Sequence, residues 1–225
     1  MLRTETVERT TLELLKTLMK DEQLKQFNLV GGTALALYMG HRKSIDLDLF
    51  SHQTFDVTIL EKHLHHTYGF VNIHPEQQTK LVLVGKINDV KVDFVWNDSL
   101  QIHPVCSVGR IRMTSIEEIA AMKLKAILQN GTRLKDFVDV AFMSVKMPLK
   151  SMLDIFDMKY TSTSKILAVK ALTYFDDIDF TATIELTEGV FNWRIIEKRL
   201  NEMVINPNKI FLNNPIEINK RDVNC

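Results

Sequence analysis

The chain has 225 residues, 45% hydrophobic and 25% charged, with 28 Lys and Arg against 28 Asp and Glu. These values suit a globular protein with a buried core and exclude wholesale disorder, and a formal net charge of zero removes any global electrostatic case for nucleic acid or membrane, leaving only local basic patches. Cys106 and Cys225 show neither metal-ligand nor disulfide spacing, the segment MLRTETVERTTLELLKTLMK lacks a signal-peptide core, and no apolar run reaches the roughly 20 residues that span a bilayer, so a soluble cytoplasmic protein is expected.

Residues 6–20 place Val7, Leu14, Leu15 and Leu18 at helical spacing and predict an amphipathic helix. Phe27 to Val30 reads as a short strand, broken by Gly31-Gly32, after which Thr33 can cap a helix from Ala34 to Met39 that Gly40 ends. Ile45 to Phe50 alternates apolar and acidic residues, which is strand period. A helix from Thr54 to Tyr68 stops at Gly69, and Phe70 to His74 is a strand candidate. Leu81 to Ile87 and Val90 to Trp96 flank Asn88-Asp89 as a hairpin. Beyond Pro104 the pattern turns helical. Ser115-Ile116-Glu117-Glu118 has the form of a capping box, another helix follows Gly131, and further helices cover about 151–174 and 190–204. The tail after Asn206 reads as irregular.

Chemistry concentrates in Gly31 to Phe50, GGTALALYMGHRKSIDLDLF. On a strand, Asp46 and Asp48 share one face, roughly 6–7 Å apart, with Ile45, Leu47 and Leu49 on the other. Adjacent carboxylates repel, and a divalent cation removes the conflict; magnesium prefers a few carboxylates plus phosphate oxygens. In VKVDFVW, Asp93 also sits opposite an apolar face. If the two strands are neighbours, Asp46, Asp48 and Asp93 converge as a metal set for in-line displacement at phosphorus. The plainer reading of each is a solvated strand face. Gly31-Gly32 lets backbone amides approach a phosphate, with the following helix directing its N-terminus at the anion, although a simple strand–helix turn needs the same glycines.

Together, Gly-Gly-Thr, a short helix, Asp-x-Asp on a strand and a lone later Asp resemble the DNA-polymerase-β-like nucleotidyltransferases. The form LVGGTALALYMGHRKSIDLDLF, followed by IEEIAAMKLKAI and RLKDFVDVAFM, is more similar to the AbiEii/AbiGii toxin family of type IV toxin–antitoxin pairs. The resemblance covers about residues 29–143. It implies an α+β fold, with a small mixed-sheet nucleotidyltransferase core over 1–112 and a mostly helical region over 113–225 that closes the nucleotide cleft. It also implies phosphate contacts from Gly31, Gly32 and Thr33, magnesium on Asp46 and Asp48 with Asp93 as third carboxylate, and catalytic roles for Lys123 and Asp136.

Lys123 carries a separate physical argument. It lies on the stripe of Ile116, Ile119, Ala120, Leu124 and Ile127, and a lysine on a buried face needs an anion, which a triphosphate can supply. The alternative is a lysine that snorkels to solvent. Asp136 can instead pair with Arg133 at i, i+3. Arg42 and Ser44 enter the acidic strand, where they can touch phosphate or base, or brace the loop. The resulting expectation is a magnesium-dependent transfer of a nucleoside monophosphate from a triphosphate to an acceptor hydroxyl. By resemblance the acceptor is RNA, such as tRNA, and an antitoxin opposes the protein. The alternatives are an enzyme that modifies small molecules of the antibiotic type and a non-catalytic partner-binding protein on the same fold.

Overall fold

The structure, a computed structural model, describes residues 1–74 and 82–217. It divides into two compact units: residues 1–40 with 44–115, and residues 41–43 with 116–225. The first is a mixed α/β unit, the second helical. The predicted start of the hairpin at Leu81 lies outside the described residues, as does Cys225.

Among the described residues of the first unit, a seven-stranded mixed sheet runs in the order β3-β4-β5-β2-β1-β7-β6. The strands are β1 (Asn28–Leu29), β2 (Leu47–Ser51), β3 (Val71–Asn72), β4 (Val82–Ile87), β5 (Val90–Trp96), β6 (Cys106–Val108) and β7 (Ile111–Met113). The helices are α1 (Arg9–Leu18), α2 (Gly31–Met39) and α3 (Val57–Tyr68). β2 pairs antiparallel with β1 and parallel with β5. β4 and β5 form the predicted hairpin, and its turn residues Asn88 and Asp89 both take positive φ, 47° and 64°, as a two-residue I′ turn requires. Leu29, Leu47, Leu49, Val92 and Phe94 are all buried. Phe27 and Phe94 meet edge-on, with ring centroids 5.1 Å apart.

Local chemistry sets the helix ends. α3 starts at Asp56, whose carboxylate accepts the Ile59 amide at 3.0 Å, rather than at Thr54. It stops at Gly69, with φ 68°. α2 begins at Gly31, so Thr33 sits inside its first turn and does not cap it. His63 of α3 is partly buried and meets Asp21 at 2.6 Å.

The helical unit consists of α4 (Ile116–Gln129), α5 (Leu134–Met143), α6 (Leu149–Lys159), α7 (Lys165–Leu172) and α8 (Trp193–Ile205). α4 packs against α5, α6 and α7, and α5 against α8. A buried ion pair ties α6 to α4: the Lys159 ammonium donates to Glu118 at 2.7 Å. Residues 41–43 join this unit by short β-like pairing: the Lys43 amide donates to the Glu185 carbonyl at 2.8 Å and the Thr187 amide to that of His41 at 3.1 Å. Among the described residues no helix is long and apolar enough to cross a membrane.

Candidate active site

β2 starts at Leu47, one residue after Asp46. Asp48 is therefore a strand residue, half-buried, whereas Asp46 is exposed on the segment leading in. Leu47 and Leu49 fill the core, but Ile45, expected to join them, is 53% exposed because the strand has not yet begun. The parallel pairing of β2 with β5 sets Asp48 directly beside Asp93. Neighbouring strands lie about 4.8 Å apart, so the two carboxylates leave the sheet side by side on one face.

The glycine pair meets this acidic pair from β1. The Val30 amide donates to the Asp48 carbonyl at 2.9 Å. Gly31 follows with φ +67°, and a Cβ there would stand 2.2 Å from Asp48 Oδ2. Only glycine tolerates both the left-handed backbone and the carboxylate against it. The first amides of α2 have no acceptor within the helix and carry the positive end of its dipole. Thr33 is buried, and its hydroxyl lies against the Asp46 carbonyl and 2.8 Å from the Ser44 hydroxyl. With one proton to give, Thr33 bonds one partner and accepts from Ser44 when it serves the other. The hydroxyl expected on phosphate thus ties the first turn of α2 to the chain entering β2.

Lys91, two residues before Asp93 on the same face, donates to Asp93 Oδ2 at 2.6 Å. Burial works against charge on Lys91, but the hydrogen bond and charge of Asp93, joined by the charges of Asp48 and Asp46, raise its pKa. All three carboxylates thus act on one ammonium. Among the described residues, however, no three His, Cys, Asp or Glu side chains form a group that could hold a metal ion. Asp46 precedes the strand and Asp93 is turned to Lys91, so the three carboxylates do not close on one point. The donor chemistry still fits magnesium, which is commonly held by one or two carboxylates plus substrate phosphates. Asp93 Oδ1 is buried with no hydrogen-bond partner, an acceptor in want of a cation or donor.

Arg42, Lys123 and Asp136 fall within the helical unit, around Asp139. Asp139 Oδ1 accepts from Arg42 Nε at 2.6 Å, and Oδ2 from Arg42 at 2.9 Å. The Lys123 ammonium bridges Asp139 Oδ2 at 2.7 Å and Asp136 Oδ1 at 2.6 Å. Two buried cations thus meet two buried carboxylates. Lys123 does find the anion its stripe position demands, but the chain itself supplies it. Arg42, read from sequence as able to touch phosphate or base or to brace the loop, is likewise buried on Asp139. Arg133 reaches Asp136 Oδ2 at 3.3 Å without hydrogen-bond alignment, so the i, i+3 pair exists but is secondary. Burial opposes charge on Asp139, yet Arg42 and Lys123 hold its pKa well below the ordinary carboxylate range. Sequence reasoning left Asp139 without a role. The usable signal was its place in LKDFVDVAFM, a segment apolar almost all round and therefore buried, where a carboxylate needs partners.

His41 completes this hub, with Nε2 2.8 Å from Asp139 Oδ1. Burial lowers its pKa, against the raising effect of Asp139. Nδ1 is buried without a partner, so a second ring proton would have no acceptor. The neutral ring, donating from Nε2, is the folded form. Because the folded pKa lies below the unfolded one, His41 contributes stability that is full above about pH 6.5 and is lost as pH falls below it. The melting temperature of the wild type should therefore drop more steeply from pH 7.5 to 5.5 than that of His41→Gln; parallel thermal melts of the two would refute this if their pH slopes coincide.

The family described as "Nucleotidyl transferase AbiEii toxin, Type IV TA system" matches residues 13–206. The uncharacterized protein aq_aa25 of Aquifex aeolicus (strain VF5) is 31% identical over 158 residues, covering 67% of this chain and 74% of that protein. Two Helicobacter pylori crystal structures share the fold. A candidate nucleotidyltransferase superposes with a TM-score of 0.56 at 21% identity, covering 89% of this chain and 96% of that one. JHP933 does so with a TM-score of 0.52 at 19% identity, covering 90% and 93%. With a family match over most of its length, and with the glycine turn, the acidic strand and the neighbouring Asp93 gathered in one unit, the chain belongs to the AbiEii nucleotidyl transferase toxin family and is a nucleotidyltransferase.

Proposed function

We propose that the protein is a magnesium-dependent enzyme that moves a nucleoside monophosphate from a nucleoside triphosphate to a hydroxyl of an RNA acceptor, such as tRNA, and that it acts in the cytoplasm as a toxin restrained by an antitoxin. The observation that carries the site is the register of Asp48 beside Asp93, with Gly31 closed on Asp48. In this reading the amides of Gly31 and Gly32 at the head of α2 bind the phosphates, and Thr33 and Ser44 hold that turn against the acidic strand. Asp46 and Asp48, with Asp93, would hold magnesium. When bound, the ion supplies neutralisation of phosphate charge and a lowered pKa for the acceptor hydroxyl. Lys123 and Asp136, which match the later family motifs, contribute through the Asp139 hub. They fix His41 to Lys43, the residues that precede Ser44 in the chain.

Incubation with each of the four α-labelled nucleoside triphosphates tests this, with tRNA, other RNA or small hydroxyl compounds as acceptors. Label should pass to RNA, and only with magnesium present. The preferred triphosphate should also raise the melting temperature in a magnesium-dependent way, by mass action. Transfer to small compounds alone would move the protein to the antibiotic-modifying class, which its zero net charge suits. No transfer and no thermal shift at millimolar nucleotide would leave a binding protein on an enzyme fold.

A further inference from the structure

The acidic pair is not the only charged feature on this face of the sheet. β4 and β5 pair antiparallel with Lys86 directly opposite Lys91, so the two lysines point to the same side. That side also carries Asp93 and, one strand over, Asp48. Like charges directly opposed on a sheet are destabilising, and here Lys91 is hydrogen-bonded to Asp93, at 2.6 Å. Lys86 is exposed, and the Lys91 side chain is 40% exposed, so both can move on their flexible stems. Asp93 meanwhile shows one oxygen to Lys91 and keeps the other buried and unpartnered. A carboxylate half-served by a mobile ammonium suits a change of partner.

We propose that Lys91 is an exchangeable counter-ion: it neutralises Asp93 in the free protein and, when a divalent cation takes over that carboxylate, it moves with Lys86 onto the phosphate tail of the nucleoside triphosphate. This rests on the reading of Asp46, Asp48 and Asp93 as the metal-binding residues. The exchange leaves each charged group beside an opposite charge. The acidic pair carries an ammonium when empty, and the incoming phosphate charge is met by the two lysines once the cation has displaced that ammonium. It also gives the opposed lysines a purpose, since an anion between them converts repulsion into binding. Lys91 is thus a positioning and binding residue and takes no part in bond making.

The test uses opposite signs. Manganese binding to the ligand-free protein is followed by electron paramagnetic resonance. Binding of manganese-loaded tripolyphosphate, which reproduces the tail alone, is followed by calorimetry. Lys91→Met should bind manganese about tenfold more tightly, because the competing ammonium is gone. It should bind the tripolyphosphate complex about ten- to a hundredfold more weakly, the order of one charge-assisted contact. Lys86→Met should weaken only tripolyphosphate. Unchanged or weaker manganese binding in Lys91→Met overturns the exchange. Asp48→Asn serves as the control. If it loses manganese while Lys91→Met is unaltered, the exchange fails and the metal site stands; if it binds manganese like the wild type, the reading of the site itself fails.

Discussion

Asp48→Asn should abolish nucleotide transfer while leaving the protein folded. Asp48 lies on an interior strand, between β1 and β5, and its backbone pairing does not depend on its side-chain charge. The carboxamide has the same shape, so the close fit of Gly31 against the side chain survives. Stability should hold, because a negative charge beside Asp93 has been removed. Activity should fall by at least about a hundredfold, since charge neutralisation by a metal ion in such a displacement is worth several kcal/mol and each 1.4 kcal/mol is a factor of ten. Label transfer and a circular dichroism melt on the same preparation decide it. Wild-type activity in a variant with a wild-type melt would remove Asp48 from the chemistry.

Asp139→Ala should cost about 3–5 kcal/mol of stability, the usual result of removing one partner from a buried ion pair. Arg42 loses both its hydrogen bonds to that carboxylate, and Lys123 is left with Asp136. Urea titration should show the midpoint falling with little change in slope. Lys123→Met belongs to the same series. From the stripe of apolar residues alone, that change removes a costly buried charge and should hold or raise stability. With Asp136 and Asp139 both within 2.7 Å of the ammonium, it instead leaves Asp139 to Arg42 and His41, and Asp136 to Arg133, and should destabilise. If Asp139→Ala unfolds at the wild-type urea concentration, the hub is not what holds residues 41–43 and α4 to α5.

The local physics of the chain is enough to place several parts of this protein. The alternation of Val90 to Trp96 sets Asp93 opposite an apolar face, Asn88-Asp89 dictates a tight turn, and Gly69 stops a helix, because each depends only on side-chain period or on which residues tolerate positive φ. The stripe on α4 likewise marks Lys123 as a buried lysine in need of an anion, and the order of glycine turn and Asp-x-Asp points to nucleotide chemistry.

Partner identity lies beyond such reasoning. That Asp48 stands beside Asp93, rather than one residue out of register, follows from the parallel pairing of two strands about 40 residues apart in sequence, and a shift of one would have turned one carboxylate to the core. That Asp93 is turned to Lys91, that Thr33 spends its hydroxyl on the chain around Ser44 and Asp46, and that Asp139 gathers His41, Arg42 and Lys123 are likewise settled by packing. Periodicity shows which side chains must be buried or share a face. Which charges then meet is decided by the tertiary arrangement, because a buried ion takes the opposite charge that packing brings within hydrogen-bond reach, however distant that residue is along the chain.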